Sequence, residues 1–237
     1  MSDQLKEALG GTLVLWSLSA ALALGLGLVL AAGSLSPCRP VRFVARSVVN
    51  VTRGVPTVLL VIVAGFGMLR IPGVGELPVV FPGTLASFQH VAWGITVALA
   101  LGSAGHLAEI FRAARAGLGE ARLEQVMVLG MSRARRTRLL AREAAAIALP
   151  PTGARLVHHL HNTAFAALLP VTDLFGFIEA QVNATFRVVD FLLLGCAAYM
   201  ALSALIWVTV RGLEAVMLHR VTAQPRGRVA VQWSSSS

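Results

Sequence analysis

The chain is 237 residues long, 56% hydrophobic and only 13% charged, with a mean hydropathy of +0.75, whereas soluble domains carry roughly a quarter charged residues. That composition excludes a soluble globular fold and a separate soluble enzyme domain; the apolar runs extend along most of the chain, so we read one all-α membrane domain. The net charge of +9 does not point to nucleic acid, because the basic residues fall between apolar stretches, as in the charged loops of membrane proteins.

Residues 12–32 form the first uncharged run, about as long as the ~20 residues a helix needs to cross a bilayer. Asp3 and Glu7 outweigh Lys6 ahead of it, and the run exceeds a signal-peptide core of about 7 to 15 residues, so it reads as an uncleaved first helix. Residues 54–69 are uncharged but short; their helix is expected to begin near Ser47, with Arg53 snorkelling toward the headgroups. Residues 91–108 make a third span, ended by Glu109 and Arg112. The fourth, 152–169, is the weakest by hydropathy, since it holds Arg155, His158, His159, His161 and Asn162. Such groups inside a membrane face protein or a watery cavity. Residues 191–210 complete five spans.

Between the second and third spans, Pro72, Gly73, Gly75, Pro78, Pro82 and Gly83 suit an irregular surface or re-entrant loop. From Val221 onward no apolar periodicity remains, so 1–220 reads as the membrane domain and 221–237 as a loosely ordered tail. Cys38 and Cys196 lack metal-ligand spacing and are expected to be free thiols.

Counting Lys and Arg in alternate gaps gives the orientation. One side has Lys6, Arg70 and Arg187; the other has fifteen arginines in groups at 39–46, 112–142 and 211–228. By the positive-inside bias the N-terminus lies outside and the C-terminus in the cytoplasm, which requires an odd number of spans.

The cytoplasmic stretch 112–151 is far longer than the 2 to 8 residues that joining two neighbouring helices needs. Residues 120–129 read as a short helix with Leu123, Val126 and Met127 on one side. Gly130 can take the left-handed conformation that ends it, and Ser132 can cap the next helix. That helix carries five arginines, turns apolar at Ala144, and is expected to stop at Pro150-Pro151. A helix, a sharp turn and a helix projecting into the cytoplasm form a handle for a cytosolic partner.

Leu-Glu-Gln-Val-Met-Val-Leu-Gly-Met-Ser at 123–132 resembles the EAA loop of bacterial ABC importer permeases, with Glu124 as its acid and Gly130 as its glycine. Arg53-Gly54-Val55-Pro56 is similar to the Arg-Gly-Thr-Pro of the polar amino-acid (histidine/glutamine) permeases, and 108–112 to their Ala-Glu-Ile-Phe-Arg, with Glu109 fifteen positions before Glu124. Ile147 to Gly153, which includes Pro150, resembles their approach to the fourth helix; His161-Asn162-Thr163-Ala164 stands where they usually have Lys-Asp-Thr-Ser. Tyr199 and Leu213-Glu214 fit their last helix and its exit. The resemblance runs in order from the first helix to about Arg220. Departures occur at Gln125 and Val126, which replace the two alanines of the EAA name, and at His106, where a tyrosine is usual.

The resemblance implies a type-1 ABC transmembrane domain of about five helices that pairs with a second permease chain and docks an EAA-type helix on a cytoplasmic ATPase dimer. Glu124, Gln125, Gly130, Met131, Ser132 and Arg133 are the coupling residues it implies, and an extracytoplasmic solute-binding protein is the third partner. No Gly-x-x-x-x-Gly-Lys-Ser/Thr loop is present, so ATP and magnesium are expected on the ATPase, with no cofactor, metal or catalytic residue in this chain. Arg155, His158, His161, Asn162 and Thr163 are candidates for a polar solute path. His158 and His159 point about 100° apart on a helix, and no acid or thiol lies at i+3 or i+4 to complete a metal site. The alternatives are a permease for another small solute and an ATP-independent secondary transporter, which has no use for the projecting helix pair.

Overall fold

A computed structural model describes residues 2–68, 70–71, 78–128 and 130–222. Among the described residues the chain is helical, with no strand. α1 (Ser2–Ser34), α4 (Gln89–Ala116) and α8 (Val188–Thr222) are long and apolar enough to cross a bilayer. Their 28 to 35 residues span about 42 to 52 Å at 1.5 Å per residue.

The second span is not the single helix expected from Ser47. It consists of α2 (Arg39–Gly54) and α3 (Thr57–Met68), bent by 97°. Pro56 has no N–H to donate and its ring disfavours the helical region for the residue before it; Val55 accordingly sits at φ −93°, ψ 128°. α3 alone covers about 18 Å, less than the ~30 Å hydrocarbon core. Counting the bent pair as one, four candidate spans among the described residues are long and apolar enough to cross a bilayer.

α6 (Arg133–Asn162) corrects a second expectation: it continues as one helix through Pro150 and Pro151. The fixed φ of proline is itself helical, so the pair removes donors for the carbonyls of Ala146 and Ile147 without ending the helix. Neighbours hold the segment in place. Thr152 and Gly153 are buried, and a Cβ on Gly153 would lie 2.6 Å from Val210 of α8. After a 3₁₀ turn at Thr163–Leu168 comes α7 (Leu174–Thr185), which the sequence reading did not anticipate. Its start is set by Asp173, whose carboxylate accepts from the N–H groups of Phe175 (2.9 Å) and Gly176 (3.2 Å).

α4 is the hub, packed most extensively on α1 and also on α3, α6 and α2. It is buried nearly all round, and the buried positions are mostly small. Small residues let helix backbones approach where the bilayer supplies no hydrophobic drive between helices. A Cβ on Gly102 would come 2.9 Å from the Thr57 hydroxyl, and one on Gly105 would collide with Thr52. Leu15, Val61, Phe81, Val91, Ile95 and Leu99 form the largest apolar cluster.

At one end, Gln89 organises the connection into α4. Buried at 1% exposure, its amide accepts from the N–H groups of Val80 and Phe81 and donates to the carbonyls of Phe81 and Thr84. Pro72, Gly73 and Gly75 lie outside the described residues, as do 223–237 of the expected tail; α8 continues to Thr222, past the expected start of that tail.

Candidate functional site

Two regions bear the functional expectations: the bend between α5 (Glu120–Val128) and α6, and the polar half of α6 inside the bundle. Gly130 has φ +61°, the left-handed conformation glycine adopts without a Cβ clash. Ser132 caps α6 by accepting from the Arg135 N–H. The bend is therefore built as its residues suggest. α5 is tethered by Arg122, whose Nε donates to Glu143 Oε2 (3.1 Å) and whose Nη2 donates to Oε1 (2.5 Å). That hydrogen bonding pushes the Arg122 pKa upward, so the guanidinium stays charged.

Val126 is buried and Leu123 half-buried, but Met127, expected beside them, is 60% exposed, and Val128 is 87% exposed. α5 rests on the bundle by a narrower strip than its apolar content allows, so two apolar side chains remain uncovered at the turn. Glu124, Gln125, Ser132 and Arg133 are exposed and Met131 is half-buried. Glu124 and Gln125 line an open hollow of about 590 Å³ with Ala121, Arg122 and Val128. Among the described residues Glu124 has no ion-pair partner.

The other motif residues are structural in their immediate contacts. Arg53, Gly54 and Pro56 occupy the α2–α3 break, all exposed. Arg112 donates to Glu109 Oε2 through Nε (3.0 Å) and Nη2 (2.6 Å), as their i, i+3 spacing predicts. Pro150 lies within α6.

Inside the bundle, α6 faces α1 and α4 with a polar row. His159, fully buried, is bonded on both ring nitrogens: Nε2 to the Ser19 hydroxyl of α1 (2.8 Å) and Nδ1 to the Ser103 hydroxyl of α4 (2.7 Å). Arg155 Nη2 donates to the Gly102 carbonyl (3.0 Å) and the Ser103 hydroxyl (3.1 Å). Trp16 Nε1 donates to the Leu156 carbonyl.

The structure thus divides the expected solute-path residues. Arg155 and Asn162 share the inward face, and the Arg155 Nε and Asn162 Nδ2 groups are buried without a partner among the described residues. His161 turns to α8, with Nε2 3.1 Å from the Ser203 hydroxyl and its ring edge-on to Tyr199. The Tyr199 hydroxyl is likewise buried, with no hydrogen-bond partner among the described residues. His158 is exposed, and the Thr163 hydroxyl is taken up by the Leu160 carbonyl (2.7 Å). Ser19 and Ser103, which fix His159, escaped the sequence reading, because a lone serine in an apolar helix gives no sign of bonding across helices.

Helices joined through small residues, an internal polar row and a projecting helical bend define a membrane transport component. Residues 23–215 match the family described as binding-protein-dependent transport system inner membrane component. The chain belongs to that family, and is an integral membrane protein of transport rather than of a catalytic class. It is 32% identical over 126 residues to the arginine transport system permease protein ArtQ of Bacillus subtilis (strain 168), a match covering 53% of this chain and only about half (51%) of that relative. It is 25% identical over 183 residues to the probable amino-acid permease protein YxeN of the same organism, covering 77% of this chain and 74% of that one. Its fold is similar to that of an amino acid ABC transporter crystallised with histidines (TM-score 0.74, 22% identity, 90% of this chain and 94% of the other). It is also similar to the MetNI methionine ABC transporter in an inward-facing form (TM-score 0.69, 16% identity, 90% and 96%).

Proposed function

We propose that this chain is the permease subunit of an ATP-binding-cassette importer for polar amino acids, and that the α5–α6 bend is its coupling surface. The observation that carries the proposal is the bend itself: a helix tied down by one ion pair, with Met127, Val128 and Glu124 uncovered around a glycine-made turn. An apolar pair beside an unpartnered carboxylate suits a partner groove that buries the first and offers donors to the second. The proposed partner is a cytoplasmic ATPase dimer, which holds ATP and magnesium. A second permease chain and an extracytoplasmic solute-binding protein complete the assembly, with the N-terminus outside and the C-terminus in the cytoplasm. Closure of the ATPase dimer would then bias the two permease halves between inward-open and outward-open states.

Arg155, Asn162 and His161 are the proposed solute contacts, with His158 and Thr163 beside them. The unpartnered Arg155 Nε and Asn162 Nδ2 donors suit a carboxylate, since buried donors without partners cost about 1–3 kcal/mol each until one arrives. The test is reconstitution of the full chain with candidate ATPase and solute-binding-protein partners from the same source, followed by uptake of radiolabelled amino acids. Uptake is expected only with ATP and all partners. Flux through the chain alone, driven by an ion gradient, would overturn the proposal.

A further inference from the structure

The apolar parts of α1, α3, α4, α6 and α8 hold basic groups and no acid. Asp and Glu are absent from 8–75, 77–108, 144–172 and 191–213. Arg155 is the charge this leaves unbalanced. Its guanidinium meets Ser103, near the midpoint of α4, and Ser103 meets His159, whose other ring nitrogen meets Ser19, near the midpoint of α1. Arg155 therefore holds its charge at the middle of the bundle. Its bonding partners there, the Gly102 carbonyl and the Ser103 hydroxyl, are neutral, and among the described residues no ion pair includes it. A charge at that depth is costly, and it pairs with an opposite charge or faces a water-filled path.

The neighbours of Arg155 reach the surface of the chain. At 100° per residue, His158, His159 and Asn162 fall about −60°, 40° and −20° from Arg155, so the four share one arc of about 100°. Within it His159 and Asn162 are buried, Arg155 is half-buried and His158 is exposed. On α4, half-buried His106 lies one turn beyond Gly102 and Ser103 on the same face, near Arg155 and His158. A polar patch at mid-bundle that opens on one side excludes lipid there and suits a watery path. Arg155 Nη2 and His159 Nδ1 share the Ser103 hydroxyl, so the guanidinium reaches along α6 to the level of His159, within about one turn of Asn162.

Charge balance then selects among amino acids. A zwitterion would leave the positive charge of Arg155 uncompensated, a cationic amino acid would double it, and a dicarboxylic amino acid, net negative by one charge, cancels it. We propose that the solute is a dicarboxylic amino acid, aspartate or glutamate, with one carboxylate on Arg155 and the other on Asn162, and that Arg155 rejects cationic amino acids by like-charge repulsion. The two buried donors without partners, Arg155 Nε and Asn162 Nδ2, are the groups the carboxylates take up. The inference rests on the reading above that α6 contacts the solute, and narrows it from polar to acidic amino acids. Discrimination comes as much from the repelled competitor as from the attracted ligand.

The test is equilibrium binding of tritiated L-glutamate to the purified full chain in neutral detergent, with unlabelled L-aspartate, L-glutamine and L-arginine as competitors. Glutamate is expected to bind at least about tenfold more tightly than glutamine, which has the same shape without the charge. Aspartate should compete and arginine should not. Arg155→Gln is expected to bring glutamate and glutamine within about threefold of each other, whereas Arg155→Lys keeps the preference. Arg138→Gln, the same charge change on the exposed cytoplasmic half of α6, should alter nothing. Absence of saturable glutamate binding would overturn the proposal, as would glutamine or arginine binding as tightly as glutamate, or a preference that survives Arg155→Gln. Binding needs neither ATPase nor solute-binding protein, so it fails separately from the uptake test: flux driven by an ion gradient would remove the importer reading and leave the acidic-solute site standing.

Discussion

Gly130→Asp separates docking from folding at the bend. The native φ of +61° costs an ordinary L-residue roughly 1–2 kcal/mol, but aspartate and asparagine visit that region more readily because their short side chains bond locally. Nothing lies within 4 Å of a Cβ built at this position, and the residue is exposed. The substitution therefore meets no clash in the isolated chain, and the local loss stays at or below ~1 kcal/mol, small beside the 5–15 kcal/mol typical of a folded domain. Docked against an ATPase, the same side chain would add a second carboxylate near Glu124 in a surface about to lose its water. Burying an unpaired carboxylate costs several kcal/mol, and ~3 kcal/mol corresponds to more than a hundredfold loss of affinity. The assay is uptake by inverted-orientation-checked vesicles together with co-purification of the ATPase. Gly130→Asn serves as the uncharged control with the same backbone tolerance, and size-exclusion chromatography checks the fold. Gly130→Asp is expected to remain membrane-inserted and monodisperse while uptake and co-purification fall by about two orders of magnitude; Gly130→Asn should lose much less. Uptake within twofold of the native chain would refute the docking assignment. Loss of the protein from the membrane would refute the argument that the site is open.

Further outcomes follow from the interior and the tether. His159→Leu removes the two imidazole bonds among those that join α6 to α1 and α4; interhelical bonds in membranes average about 0.6 kcal/mol, so thermal or SDS unfolding should show a loss of ~1 kcal/mol, and an unchanged transition would mean that the two serines are adequately bonded within their own helices. Gly105→Leu should destabilise by about 1–3 kcal/mol through overpacking against Thr52 and the α2 backbone. Gly212→Leu, where a Cβ meets nothing within 4 Å, should be close to neutral in the same measurement. Arg122→Ala should loosen α5 by about 1 kcal/mol, the pair being partly solvent-screened. Faster amide exchange confined to α5 would report it, and Arg122→Ala with Glu143→Ala should recover part of the loss because no unpaired carboxylate is left behind.

Proline shows why some of this fold was legible in the sequence and some was not. The long uncharged runs of α1, α4 and α8 are readable because length and apolarity alone decide whether a helix can sit in a bilayer. The bend at Gly130 is readable because glycine, a capping serine and the change of helix face are all local. Pro56 and Pro150-Pro151 present the same local chemistry, yet the chain breaks by 97° at the first and stays helical through the second. The difference lies in what packs beside them: Thr57 is held against Gly102 of α4, whereas Gly153 is held against Val210 of α8, and neither pairing is visible along the chain. His159 follows the same rule. In the sequence it is one of three clustered histidines that suggest a metal or a solute path. In the fold His158 is exposed and His161 turns to α8, while the two nitrogens of His159 meet serines 140 and 56 residues away. A polar residue in an apolar helix announces that it needs a partner, but only the packing of α1, α4 and α6 decides whether that partner is the protein or a passing solute. By that criterion His159, doubly bonded, belongs to the scaffold. Arg155 and Asn162, each with a buried donor still free, are where an amino-acid carboxylate should be sought.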